Sequence, residues 1–518
     1  MSEAREFELV KAETTVYERV SEATVGVAIL SFVLANAALF QVTTVDTTLF
    51  GVTLFDLFGA SLLVMGATVL GLGVSSAVGL AETAPSYSPG SFAVLAFGVV
   101  GLVVGALLGS QTLGVGLLGW LSTGAAFGVA TAAVTVFPEE DLGTTVPVGS
   151  YVAAAGVAVL TGVVGLDWGW EVGGLSAVFT GPVVVPVLVA VAALGVAWAA
   201  AKAASGFGRR GRERGAILLI TLNALGMLAV LLVLIVFIVD KGLTPVLDGV
   251  QFGPGLNVDW PFVMRGYSLL PGRVNGVYPA IVGTVWVVLG AVLFAVPLGV
   301  GAAVFLTEYA ERERLTATVE TATNGLWSTP SIVFGLFGYA FLVPRFGNQT
   351  SLFAGMLVLG FMLLPLVLIT SREAILSVPD EYRDASAALG VTKWQTIRSV
   401  VLPASMPGII TGVILGVGRI AGETAPILLV MAGGLRESAP NVLGGFQFAA
   451  QPPFVTNDAL LQSAPALPYQ LYAIITAGVS GNQSFGWGTA LVLLMVVLSF
   501  YVVGIGSRLY FRRKLNDG

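Results

Sequence analysis

Arg419 and Glu423 stand four positions apart in an apolar stretch, in the run Gly418-Arg419-Ile420-Ala421-Gly422-Glu423-Thr424-Ala425-Pro426. On a helix that spacing puts both charges on one face, within reach of each other. An ionised side chain at mid-membrane costs roughly 2.5–3.5 kcal/mol on insertion scales, so it is retained where it lines a pathway or meets a buried partner. Two readings follow. Either Arg419 meets an ion in transit while Glu423 steadies its guanidinium, or the two form a structural pair that ties this helix to a neighbour.

A second polar block runs from Tyr382 to Pro403, YRDASAALGVTKWQTIRSVVLP, between two strongly apolar runs. Asp384 to Leu389 are good helix formers and Gly390 is a C-terminal stop. Trp394 to Val400 restart a helix that Leu402-Pro403 is expected to end before the next span. The prediction is a helix, a turn and a second helix below a membrane. Small residues at Ala385, Ser386, Ala387 and Ala388 let the first helix enter a groove of another protein. On spacing alone an amphipathic connector fits equally well.

The elements that must carry these groups are set by composition. The chain is 56% hydrophobic and 10% charged, with 66 glycines, and its mean hydropathy is +0.91. That profile belongs to an all-α polytopic membrane protein. Cysteine and histidine are both absent, which removes disulfides, thiolate or imidazole metal sites and Cys-His or Ser-His nucleophiles; no metal or cofactor is expected. Runs of about 20 apolar residues, the length that crosses a bilayer, fall near 24–42, 58–80, 91–109, 113–137, 148–166 and 181–204. A second set falls near 216–239, 280–306, 325–343, 352–370, 409–431 and 489–505. The expected organisation is a polar tail over 1–23, an accessory membrane region over 24–204, and a transport domain over 205–518 with its core at about 276–507. Basic residues concentrate in alternate loops of the second half, including Arg209, Arg210, Arg212, Arg214, Arg312, Arg372, Arg383, Lys393, Arg398 and Arg512. The positive-inside rule then places both termini and the 382–403 loop in the cytoplasm. The opposite loops carry few cations, among them Lys241, Arg265, Arg273, Arg345 and Arg436.

Weaker signals have plainer readings. Gly101, Gly105 and Gly109 suggest close helix packing. Ser328-Thr329-Pro330-Ser331 reads as a helix cap opening a span. Glu139-Glu140-Asp141 reads as a solvated loop. Pro468, Tyr469 and Tyr472 suggest an interfacial helix returning from the long segment 432–488. None of the five lysines follows a glycine, so a phosphate-gripping P-loop is missing and the chain is not an enzyme that hydrolyses ATP by itself.

The GRIAGETAP run resembles the signature of the PstA family of phosphate-specific ABC importer permeases. Further matches in family order are Asn275-Gly276, the runs 279–284, 297–301, 307–310 and 330–335, and Pro468 to Tyr472; they cover about 214–514. The resemblance implies that Asp384, Ala385, Ser386, Ala387, Leu389, Gly390, Leu402 and Pro403 form the loop that docks on an ATPase. It implies partners: an ABC ATPase homodimer, a sister permease of PstC type and an extracytoplasmic phosphate-binding protein, all served from the plasma membrane. It also implies that Arg419, Glu423 and Thr424 line an anion pathway. Where related permeases carry a basic residue this chain has Ile369, and Arg372, three positions on and on the same helix face, is the substitute. Asp384 stands where the loop usually has Glu. Sulfate, molybdate or a phosphonate would suit the same chemistry. A twelve-span ion-driven carrier is the rival of another class, and the unlike halves of the chain argue against its internal repeats.

Overall fold

The computed structural model describes residues 15–516 apart from 50, 88–90, 172–177, 254–257, 269–274, 311–312, 449, 452–453 and 478–482. Most of the polar tail, Arg273 and Arg312 therefore lie outside the described residues. The chain forms two compact units, Met1–Val233 and Leu234–Gly518.

The first unit is built from long apolar helices: α1 (Val16–Leu39), α2 (Leu54–Ala77), α3 (Ser91–Leu107), α4 (Leu117–Val136), α5 (Glu140–Leu160) and α6 (Gly181–Ala204), and it contains the start of α7 (Gly208–Leu247). Thr15 caps α1 in a reciprocal box with Glu18, which fixes the start of the first span eight residues before the apolar run suggests. Helix α1 packs on α6, α2 on α5 and α3 on α4. The core is a seam of Phe58, Leu62, Met65, Val152, Val185 and Val189. The glycine repeat serves internal packing as expected, since a Cβ at Gly105 would stand 2.6 Å from the Thr123 carbonyl of α4.

One expectation fails here. Glu139-Glu140-Asp141 is no solvated loop: Glu139 is the N-cap of α5, while Glu140 and Asp141 in its first turn are 0% and 1% exposed. Glu140 Oε1 lies 2.8 Å from Nζ of the fully buried Lys202, and its Oε2 pairs with Arg212 at 2.9 Å. Ser86 Oγ and the Gly208 amide also donate to Oε2, at 2.8 and 3.2 Å. Lys202 Nζ donates to Thr144 Oγ1 at 2.8 Å and sits over the Trp198 ring at 4.5 Å. Burial of these charges is tolerated because each meets opposite charge and hydrogen-bonding groups.

The second unit contains the end of α7, then α8 (Pro261–Met264), α9 (Tyr278–Val304), α10 (Glu313–Ser328), α11 (Ser331–Phe337), α12 (Leu352–Leu376), α13 (Asp380–Ala388), α14 (Lys393–Thr396), α15 (Leu402–Ala421), α16 (Ala425–Val430), α17 (Asp458–Leu461), α18 (Leu467–Ala477) and α19 (Gln483–Asn516). Its core joins α9, α12, α15 and α16 through Val287, Ala291, Leu359, Leu363, Ile420 and Ile427. Among the described residues four two-stranded ribbons decorate the loops, as in Phe446–Phe448 against Val455–Asn457.

Among the described residues eleven helices are long and apolar enough to cross a membrane, or up to twelve if one bent pair counts as a span. That pair replaces the straight span expected at 325–343: Thr316–Ser328 and Ser331–Phe346 meet at 99°. Thr329 and Pro330 form the break, and the expected cap is not made there. Instead the Ser328 and Thr329 hydroxyls donate back to the Gly325 carbonyl at 3.0 and 2.9 Å, the competing bond that Ser and Thr offer near a helix end.

Candidate translocation site and docking loop

The 382–403 block folds as a helical hairpin, with two differences from the prediction. Helix α13 begins earlier, at Asp380, and Gly390 ends it in the left-handed region, φ 74°, which a glycine enters without the Cβ clash of other residues. Thr392 then opens α14 in a capping box with Gln395. Leu402-Pro403 does not end that helix: Lys393–Ala421 is one helix of 29 residues. A π-helical turn, Ile397–Val401, absorbs the approach to Pro403, where the missing N–H would otherwise interrupt the α-helical ladder.

Side chains of the hairpin divide by exposure. Ser386 is buried and donates to the Tyr382 carbonyl at 2.8 Å. Asp384, Ala385, Ala387 and Gly390 are exposed, and Leu389 is 82% exposed beside exposed Tyr382, Val391 and Trp394. The hairpin is seated by an apolar cluster of Ile397 and Val401 with Ile375, Val378, Ala303 and Val304, against which Leu402 packs. Arg383, which the residue pattern marks only as one more cytoplasmic cation, pins α13 down. Its Nη2 lies 2.9 Å from Glu308 Oε1 and 3.2 Å from the Ile375 carbonyl, and its Nη1 donates to the Val378 carbonyl at 2.8 Å.

Arg419 and Glu423 do not share an uninterrupted helix. Helix α15 ends at Ala421 with Gly422 as C-cap, and the chain breaks before α16, so the span expected at 409–431 is a helix, a bend and a short second helix. Across the bend Arg419 Nε and Glu423 Oε1 are 3.8 Å apart, with side chains 37% and 16% exposed. Arg419 also meets Trp327 at the end of α10, whose ring centre lies 4.2 Å from the guanidinium carbon. Thr424 is the N-cap of α16 and makes no side-chain capping bond. Arg372, on α12, is half-buried and paired with Glu320 of α10, Nη2 to Oε1 2.6 Å, and with Glu373 at 3.3 Å. Arg419 and Arg372 thus both meet α10, a relation between distant segments that no residue pattern signals. Pro468 and the two tyrosines lie on α18, where Tyr469 packs on the core and the Leu467 amide donates to Thr284 of α9 at 2.9 Å.

A short exposed helix thus adjoins one end of the continuous helix Lys393–Ala421, and a half-exposed guanidinium lies near the other. Residues 295–517 match the family described as "Binding-protein-dependent transport system inner membrane component". "Phosphate transport system permease protein PstA 1" of Mycobacterium tuberculosis (strain CDC 1551 / Oshkosh) is 34% identical over 256 residues, 49% of this chain and 77% of that protein. The chain belongs to the PstA family of permeases. Another PstA relative, from Xylella fastidiosa (strain 9a5c), is 34% identical over 51% of this chain and 83% of its own length. A solved chain of the MetNI methionine ABC transporter is a more distant likeness, 19% identical with a TM-score of 0.34, over 46% of this chain and 94% of that one. As a PstA-family chain this is a multi-pass membrane permease, with eleven to twelve candidate spans among the described residues. The family implies an ATPase partner and a substrate-binding protein.

Proposed function

We propose that the chain is the phosphate-translocating permease subunit of an ATP-driven importer. The observation that carries this reading is the single helix Lys393–Ala421, which begins at the exposed hairpin and ends two residues past Arg419. A helix of that length reaches roughly 40 Å, long enough to carry a displacement across a bilayer's thickness.

In the mechanism, an ATPase homodimer closing on ATP presses on Asp384 to Gly390. The push tilts α15, swings Arg419 and opens the pathway outward to receive phosphate from its binding protein; hydrolysis resets the assembly. A PstC-like sister permease supplies the facing half of the pathway, and both termini lie in the cytoplasm of a plasma-membrane complex. The guanidinium fork suits tetrahedral oxyanions, and the nearby Glu423 keeps the anion from being held permanently. Nucleotide shifts such an equilibrium only through unequal affinity for its two states, so breaking the hairpin uncouples ATP use and leaves the membrane fold intact.

Gly390→Trp tests the coupling. A side chain there meets open space but strains the left-handed backbone of the turn, so membrane insertion is measured beside co-purification, and loss of ATPase co-purification with normal insertion is the expected result. Unimpaired association would remove the docking role. Competition of phosphate uptake by sulfate, molybdate and phosphonates tests the cargo.

A further inference from the structure

Both guanidiniums singled out in the permease unit are held by one face of one helix. Glu320 and Trp327 are seven residues apart on α10, two helical turns, so their side chains leave the same side of the helix about 20° apart. One meets Arg372 of α12 and the other meets Arg419 of α15. A carboxylate beside a guanidinium, and an aromatic face beneath one, can each satisfy a guanidinium in place of an oxyanion.

The hold on Arg372 is close but incomplete. Glu320 Oε1 lies 2.6 Å from Arg372 Nη2 without the alignment of a hydrogen bond, and among the described residues the shielded Arg372 Nε donates to no group. A donor left over beside a misaligned carboxylate is a guanidinium with capacity for a second acceptor. The Glu320 and Arg372 side chains are 38% and 24% exposed, so the pair lies next to water, although Arg372 Nε and Glu320 Oε1 are themselves shielded and become reachable only when the two side chains part. Helix α10 also ends at the 99° bend at Thr329-Pro330, so it is not continuous with α11.

We propose that α10 is an internal competitor for the transported anion. Glu320 occupies Arg372 and Trp327 occupies Arg419 while the pathway is empty; phosphate displaces both, and their return expels it. Glu320 and Trp327 are thereby positioning residues that set affinity and release. This rests on the phosphate-permease reading and names residues that reading does not require.

The test measures radiolabelled phosphate uptake and its KM and kcat in cells carrying the full chain and its partners, with the amount of assembled complex quantified. Glu320→Gln removes the competing charge at constant size and is expected to lower KM about fivefold, the small end of ordinary coupling, while slowing kcat by a similar factor. Trp327→Leu moves both in the same direction by less, Glu320→Asp restores the starting values, and the Glu320→Gln effect disappears in an Arg372→Gln background. Unchanged KM in both Glu320→Gln and Trp327→Leu, with less complex assembled, overturns the proposal and leaves α10 a simple brace. Running sulfate and molybdate beside phosphate separates the two ideas. If the unmodified complex carries one of those anions instead and Glu320→Gln tightens that one, the competitor role holds and the cargo assignment falls.

Discussion

Two charge clusters of this chain, Glu140–Lys202 in the first unit and Arg419–Glu423 in the second, are held in different ways. In the first, Glu140 and Lys202 are 0% exposed and are ringed by Ser86, the Gly208 amide, Thr144, the Trp198 ring and Arg212, whose side chain is 40% exposed at the edge of the cluster. In the second, Arg419 is 37% exposed, 3.8 Å from its carboxylate and set against an aromatic ring. A sealed network is costly to open and gains nothing from moving, whereas loosely held charges can exchange partners at small cost. On the proposed reading, the contrast is between charges that fasten the fold and charges that handle the anion.

The largest effect expected from breaking that contrast is in the first unit. Glu140→Ala strands Lys202 without its carboxylate and destabilises that unit by about 3–5 kcal/mol, seen as a large drop in the melting temperature of the detergent-purified protein. Replacing both charges by apolar residues of similar volume, Glu140→Leu with Lys202→Met, is expected to lose less than Glu140→Ala alone, because no buried charge is then left without its partner. If Glu140→Ala melts with the parent, the network is not a fastening.

Next in size is Arg383→Ala in the permease unit. It leaves Glu308, 8% exposed at its side chain, without its guanidinium and frees α13 from the Ile375 and Val378 carbonyls. Removing charged hydrogen bonds of this kind costs about 1.5–3 kcal/mol each. The expected readout is retained ATPase binding with uptake per ATP hydrolysed lowered severalfold; tight coupling in the variant would show that α13 is held by its apolar seat alone.

A smaller effect attends the Arg419 stack. Trp327→Phe keeps a ring and reduces its size, and cation–π contacts at partly exposed sites are worth about 0.5–1 kcal/mol. A shift in phosphate KM of roughly twofold to fivefold with unchanged melting is expected. A shift in melting with constant KM would move Arg419 into the fastening class with Lys202.

Much of the membrane architecture was legible because apolar length is a local signal. The runs near 58–80, 181–204, 280–306 and 352–370 all became helices, and the Gly390 stop needed only the residue itself. The errors lie where distant chain segments decide. Glu139-Glu140-Asp141 looks solvated until Lys202 arrives from 62 residues away. The straight spans expected at 325–343 and 409–431 are broken at Thr329-Pro330 and at Gly422, where backbone hydrogen bonds rather than hydropathy set the path. Arg419 and Glu423 were chosen as a helix-face pair, yet the helix ends between them, and Trp327, 92 positions upstream, became a partner that spacing could not name. The π-helical turn that carries α14 through Pro403 left no pattern in the residue types.

The central claim is that Arg419 handles the anion and does not hold the fold together, and phosphate uptake by Arg419→Gln and Arg419→Lys, measured beside their melting temperatures, tests it most directly. The account predicts complexes that assemble and melt like the parent, with uptake abolished in Gln and reduced at least tenfold in Lys, which keeps the charge and loses the planar fork. Parental uptake in Arg419→Gln, or a collapse in stability matching that of Glu140→Ala, would contradict it.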